Sequence, residues 1–170
     1  MRHTVIDSSS LRAIVHLDLA TKLSLFFDVV HVPRQVQTEV NKKHKFRHQL
    51  NKLYGTGLFQ RCSAGNPTNV RLLMTELDEG EAESITQAQE KRADRVILDE
   101  KKARSVASNM SIQPVGVARI LFRLQRDGQI EDARKLINRL KRELKFRISE
   151  DVIEEASLKI EEPIWSAAVG

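Results

Sequence analysis

The chain is short of the residues that several kinds of function require. It has one cysteine in 170 residues, Cys62, which excludes an intrachain disulfide and a thiolate zinc cluster. Aromatic residues make up 5% of it, too few for an extended base-stacking platform. No apolar run is long enough to span a bilayer. The polar residues Ser8 to Arg12 also interrupt the N-terminal apolar run before it reaches signal-peptide length. There is no P-loop, nucleophile elbow, dinucleotide fingerprint or zinc signature, and no internal repeat or low-complexity tract. These absences lead us to expect a soluble, intracellular protein in a reducing, cytoplasmic setting, with no membrane partner. At this length one domain with a two- or three-layer core is the simplest expectation.

Negative charge is also missing from one long stretch. The chain carries a net +5, and between Glu39 and Glu76 it has no acidic residue, while Lys42, Lys43, Lys45, Arg47, Lys52, Arg61 and Arg71 all fall there. A basic run of this kind is either a solvated helix face or a surface that contacts phosphates. His44 and His48 have the i, i+4 spacing of a helical metal pair. They sit among lysines without a nearby carboxylate or thiol, which favours an exposed or phosphate-facing role.

What is present alternates between short apolar runs and helical periodicity. Val5-Ile6 reads as a strand that ends at Asp7, with Ser8-Ser9-Ser10 leading into a helix over 11–25. A second strand lies within 26–32, and Pro33 opens a helix carrying Val36, Val40, Leu50 and Leu53, which ends near Gly55 and Gly57. Further strands are expected at 58–62, 96–98 and 112–115, with helices over 69–77, from 78 to about 91, and over 101–109. From Val117 onward the pattern is helical only. Three amphipathic helices there are available to cover the sheet or to form a dimer or partner surface. The tail from Glu161 to Gly170 is expected to be loosely held or used in assembly. Strands alternating with helices argue for an α/β fold with a parallel sheet.

Four acidic groups fall at element ends: Asp7, Glu39, Glu81 with Glu83, and Asp99 with Glu100. Carboxylates gathered in one pocket raise each other's pKa, and a hard divalent cation such as Mg2+ or Mn2+ relieves the repulsion. Such a cation lowers the pKa of bound water and stabilises the oxygens of a phosphodiester undergoing displacement. Each carboxylate also has a competing structural role. Asp7 and Asp99 are placed to cap the helices that follow, and Asp78-x-x-Glu81 has the spacing of a capping box. Two residues apart, Glu81 and Glu83 do not share a helix face, and a strand end orients only one of Asp99 and Glu100 inward. The choice between the members of each pair stays open.

Taken in order, these segments resemble the PIN-domain family, the fold of toxin-type ribonucleases in toxin–antitoxin pairs. Val5-Ile6-Asp7-Ser8-Ser9 looks like its first motif, and Val32-Pro33 to Glu39 looks like its second. Leu77 to Ile85, Val96 to Arg104, Val115-Gly116 and Leu121 to Ile130 are similar to a PIN-like branch of mostly uncharacterised proteins. The resemblance implies a three-layer α/β/α sandwich around a parallel sheet of four to five strands. It divides the chain into a PIN-like nuclease domain over 1–130 and a helical C-terminal extension over 131–170 packed on the same domain. It implies metal-dependent hydrolysis of RNA. Asp7, Glu39, Glu81 and Asp99 would hold Mg2+ or Mn2+, with Glu83 and Glu100 as alternates and Ser9 assisting. Lys42, Lys43, Lys45, Arg47 and Lys52 would hold the RNA, and the partners implied are an antitoxin protein and a second copy of the chain. At the third acidic position this chain has glutamate, where the toxin-type enzymes generally carry aspartate.

Overall fold

The computed structural model describes residues 1–165. Its strands are β1 (His3–Ile6), β2 (Val29–Pro33), β3 (Phe59–Cys62), β4 (Arg95–Ile97) and β5 (Gln113–Val115). Its helices are α1 (Ser8–His16), α2 (Arg34–Asn41), α3 (His44–Tyr54), α4 (Pro67–Leu73), α5 (Glu79–Glu90), α6 (Lys101–Asn109), α7 (Val117–Arg126), α8 (Ala133–Leu144) and α9 (Glu150–Leu158). All four strand pairings are parallel, in the order β3-β2-β1-β4-β5. The expected three-layer α/β/α sandwich is present, with five strands.

Alternation along the strands divides the core in two. Val5, Val96 and Leu98 pack with Leu77, Ala82, Ile85 and Ala103, which places α5 and α6 on one face. Ile6, Val30, Val32, Ile97 and Val115 face the other way, against Leu11 and Ile14 of α1, Leu50 of α3 and Ile120 and Leu121 of α7. Ala133, Ile137 and Leu140 of α8 and Ile153 and Ala156 of α9 belong to this same cluster. Within this cluster α8 and α9 pack on α7. Each fully buried Leu or Ile contributes about 1.5–3 kcal/mol.

The chain order explains where a site can form. From central β1 the chain steps outward to β2 and β3, then crosses to the opposite side of β1 to lay down β4 and β5. The connections after β1 and β4 thus depart in opposite directions, leaving a crevice at their carboxyl ends, where open α/β sheets place ligands. Ile6 is in register with Ile97, so Asp7 and Asp99 follow on neighbouring strands.

Three expectations need correction. The helix expected over 11–25 stops at His16, where Asp18 takes a left-handed conformation (φ 56°), and Ala20–Leu25 is a 3-10 turn. Aspartate tolerates that conformation better than most residues. The single helix expected from Pro33 to Gly55 is two, broken at extended Lys43. Val36 and Val40 project an apolar stripe onward to positions 43 or 44 and 47, whereas the next apolar set is Phe46, Leu50 and Leu53. The break resets this one-residue phase error. Finally, the start of the tail is held. Arg95 donates from Nε to the Ile164 carbonyl at 2.9 Å, Arg119 donates to the Pro163 carbonyl, and Ile164 is buried. Residues 166–170 lie outside the described residues.

Candidate active site

A cavity of about 510 Å3 opens at the crevice, lined among others by Asp7, Glu39, Asp78, Glu81, Asp99 and Glu100. Asp7 leaves β1 as the N-cap of α1, its Oδ1 accepting the Ser10 N–H at 2.9 Å. Its expected capping role and its place in the cavity coexist. The same holds for Glu81, whose carboxylate accepts the Asp78 N–H at 3.2 Å in the expected capping box while lining the cavity.

The three serines after Asp7 serve three different carboxylates. Ser8 donates to Glu39 Oε2, Ser9 to Asp7 Oδ2 at 3.3 Å, and Ser10 to Asp99 Oδ2 at 2.8 Å. Successive residues in a helix point about 100° apart, so a run of three can reach three neighbours. Only Ser9 was expected to assist. Ser8 and Ser10 were legible as helix-start residues, but their partners were not.

Two glycines make room for the acidic groups. A Cβ on Gly80 would lie 3.1 Å from Glu39 Oε1. On Gly116 it would lie 3.0 Å from Asp99 Oδ1 and 2.9 Å from Arg104 Nη1. Asp99 is fixed there by the Ser10 hydroxyl and by the Val117 N–H at 3.0 Å. Arg104 in turn donates to the Leu98 carbonyl at 3.0 Å.

The structure settles the placement of the two acidic pairs. Glu83 points away from the cavity: its carboxylate accepts the Arg34 and Gln35 N–H groups, at 3.0 and 3.1 Å, at the start of α2. Those are orphan donors of a helix N-terminus, where a carboxylate is favoured, and of the pair left open it is Glu81, not Glu83, that lines the cavity. Asp99 and Glu100 both line the cavity, with Glu100 also capping α6 through the Ala103 N–H at 2.8 Å. Both point inward because the chain there is already turning from strand to helix, so strand alternation no longer applies.

Burial and crowding strain the ionised forms. Burial, reinforced by neighbouring Asp99, pushes the Asp7 carboxyl up to about 7. Glu81 is pushed up to about 7 by burial and by nearby Asp78. Asp99 is raised by burial, against the pull of Ser10, Val117 and Arg104. Carboxyls raised in this way by burial and by one another respond strongly to any cation brought among them.

Of the five cations expected to contact nucleic acid, Lys43 lines the cavity, while Lys42, Lys45, Arg47 and Lys52 are exposed on the α2–α3 segment. His44 and His48 are exposed. Cys62 is buried and its thiol is pushed up to about 12 by burial, an inert state. The C-terminal turn Leu144 to Arg147 also lines the cavity, as does Arg12. No sequence pattern pointed to that turn.

Among the described residues no three His, Cys, Asp or Glu side chains are grouped so as to hold a metal ion. The donor chemistry nevertheless fits a hard divalent cation: every acidic ligand candidate is an oxygen donor, and the lining is free of thiols.

Carboxylates gathered at the topological switch point of a parallel α/β/α domain form an acidic pocket where such folds bind ligands. A family model described as a PIN domain matches residues 3–162, and the chain belongs to that family. Its members are in general nucleases that act on nucleic acids and typically depend on divalent metal. No curated protein matches the chain. Among the described residues, no helix is long and apolar enough to cross a membrane.

Proposed function

We propose that this chain is a Mg2+- or Mn2+-dependent endoribonuclease. The observation that supports the reading most directly is the delivery of Asp7, Glu39, Glu81 and Asp99 by four different elements to one cavity in a basic chain. Those four would hold the metal, which when bound supplies an activated water and neutralises charge on the phosphodiester. The serines donate to Glu39, Asp7 and Asp99 and fix their orientation, which reduces the reorganisation required at the moment of reaction. Lys43 at the cavity and the exposed Lys42, Lys45, Arg47 and Lys52 would hold the RNA backbone by charge. The toxin of a toxin–antitoxin pair is the biological setting we favour, with an antitoxin or a second copy of the chain as partner in a cytoplasmic location.

The test is cleavage of single-stranded and structured RNA with Mg2+, with Mn2+ and with EDTA. Cleavage is expected only with metal, and Asp7→Asn is expected to lose on the order of a hundredfold or more in rate. If Asp7→Asn cleaves as fast as the parent, the mechanism is wrong. A second reading, a catalytically weak module that binds nucleic acid or a partner, is favoured by glutamate at the third acidic position. It predicts salt-sensitive RNA binding that is indifferent to metal.

A further inference from the structure

We infer that the turn joining α8 to α9, Lys145-Phe146-Arg147, binds one unpaired nucleotide of a single-stranded polynucleotide beside the carboxylates. The inference rests on reading the acidic cavity as a nuclease site, and it adds a base-binding surface on the C-terminal turn.

Three observations carry it. First, the turn lines the same cavity as Asp7, Glu39, Glu81 and Asp99, so whatever occupies the cavity meets it. Second, the turn is fixed. Lys145 closes α8 in a left-handed conformation (φ 55°), and the Phe146 N–H donates back to the Leu140 carbonyl at 3.2 Å. Phe146 is half-buried: its ring packs against the main core and also lines the cavity, a rigid aromatic surface at an opening. Third, cations flank the ring. Lys145 and Arg147 stand either side of it in the chain, and Arg12 and Lys43 line the same cavity from α1 and the α2–α3 junction. Among the described residues none of these four makes an ion pair, although carboxylates share the cavity with them.

A phosphodiester chain approaching four carboxylates is repelled unless cations stand beside them. An aromatic ring between two cations matches a base between two phosphates. The base presents its flat face to the ring only when it is free of a partner strand. The chain is too poor in aromatics for an extended platform, and one ring at the reacting end holds one base. A cavity of about 510 Å3 has the size of a small-ligand pocket, which suits one nucleotide.

The experiment is fluorescence anisotropy of the full chain in EDTA, so that cleavage plays no part, with a labelled unstructured 12-nucleotide RNA and a hairpin of the same length. The variants are Phe146→Leu, Phe146→Tyr, Lys145→Gly and Arg147→Gln. Glycine accepts the left-handed conformation at 145, so the first cation is removed without backbone strain. The single strand is expected to bind more tightly than the hairpin. Phe146→Leu should weaken it on the order of tenfold while Phe146→Tyr does not. Lys145→Gly and Arg147→Gln should each reduce the salt dependence by about 0.7 in log–log slope. Equal binding of hairpin and single strand overturns the inference. So does affinity that follows each variant's Tm and not the presence of the ring. Failure to cleave with metal, the binding pattern intact, removes the nuclease reading alone. Cleavage that survives while Phe146→Leu binds like the parent removes this inference alone.

Discussion

Replacing Asp7 with asparagine should make the metal-free protein more stable at alkaline pH while abolishing its proposed activity. The substitution keeps shape and size, and asparagine caps a helix as well as aspartate does, so the bond from the Ser10 N–H survives. What it removes is a buried charge. The carboxyl moves from 3.8 to about 7 on folding, chiefly through burial and then through Asp99. Below the lower value both folded and unfolded chains hold the proton, and Asp7 contributes nothing to the pH dependence. Between the two values the unfolded chain ionises and the folded one does not, so stability falls as pH rises. Above about 7 the loss is complete. A shift of about three units at about 1.4 kcal/mol each amounts to about 4 kcal/mol, a large share of the 5–15 kcal/mol typical of a domain. Urea unfolding in EDTA measures it. With a slope of about 2 kcal/mol per molar, the midpoint of Asp7→Asn should lie about 2 M above the parent at pH 8. At pH 4 the two should be within about 0.5 M. A midpoint at pH 8 that is unchanged or lower refutes the reasoning. An equal gain at both pH values refutes its electrostatic basis.

Other consequences can be checked with the same samples. Adding Mg2+ or Mn2+ at about a hundred times Kd should stabilise the parent by about 2.7 kcal/mol and raise Tm by about 5–10 °C, with no such rise in Asp7→Asn or Asp99→Asn. Gly116→Ala drives a methyl against fixed Asp99 and should cost about 1–3 kcal/mol, with metal binding weakened as well. Gly80→Ala meets the ends of the Glu39 and Asp78 side chains, at 3.1 and 3.5 Å, and should be milder; a larger effect at Gly80 than at Gly116, read from thermal melts, would contradict the packing. Glu83→Gln should cost about 1 kcal/mol through the α2 N-terminus and leave metal-induced stabilisation intact, since its carboxylate caps that helix instead of facing the cavity.

Much of the architecture is written locally. Val5-Ile6 before Asp7 and Val96 to Leu98 before Asp99 are apolar runs halted by a carboxylate, so strand and strand end are both read from neighbours in sequence. The choice between Glu81 and Glu83 was not legible, because it depends on how α5 rolls against α2. That angle is set by packing of Ala82 and Ile85 with strands far away in the chain. The break at Lys43 was visible in principle as a phase error between Val40 and Phe46, a signal that a tolerant helical period absorbs. The turn at Lys145 left no trace, because its position follows from how α8 packs on α7 and reaches α1, where Glu143 meets His16. The use of Gly80 and Gly116 appears only with Glu39 and Asp99 beside them.

The serine run has an implication for how this chain tolerates change. Three identical letters in a row suggest redundancy, and in composition they are interchangeable. In space each belongs to a separate carboxylate supplied by β1, α2 or the end of β4. Duplicating one serine would barely alter the sequence, yet it would turn each following side chain through about 100°. The first three positions after Asp7 would still be serines, but Leu11, Ile14 and the rest of the apolar face of α1 would turn out of the core, with no charge changed. Substitutions at these positions should therefore be borne one at a time, whereas an altered count there should disable the centre outright.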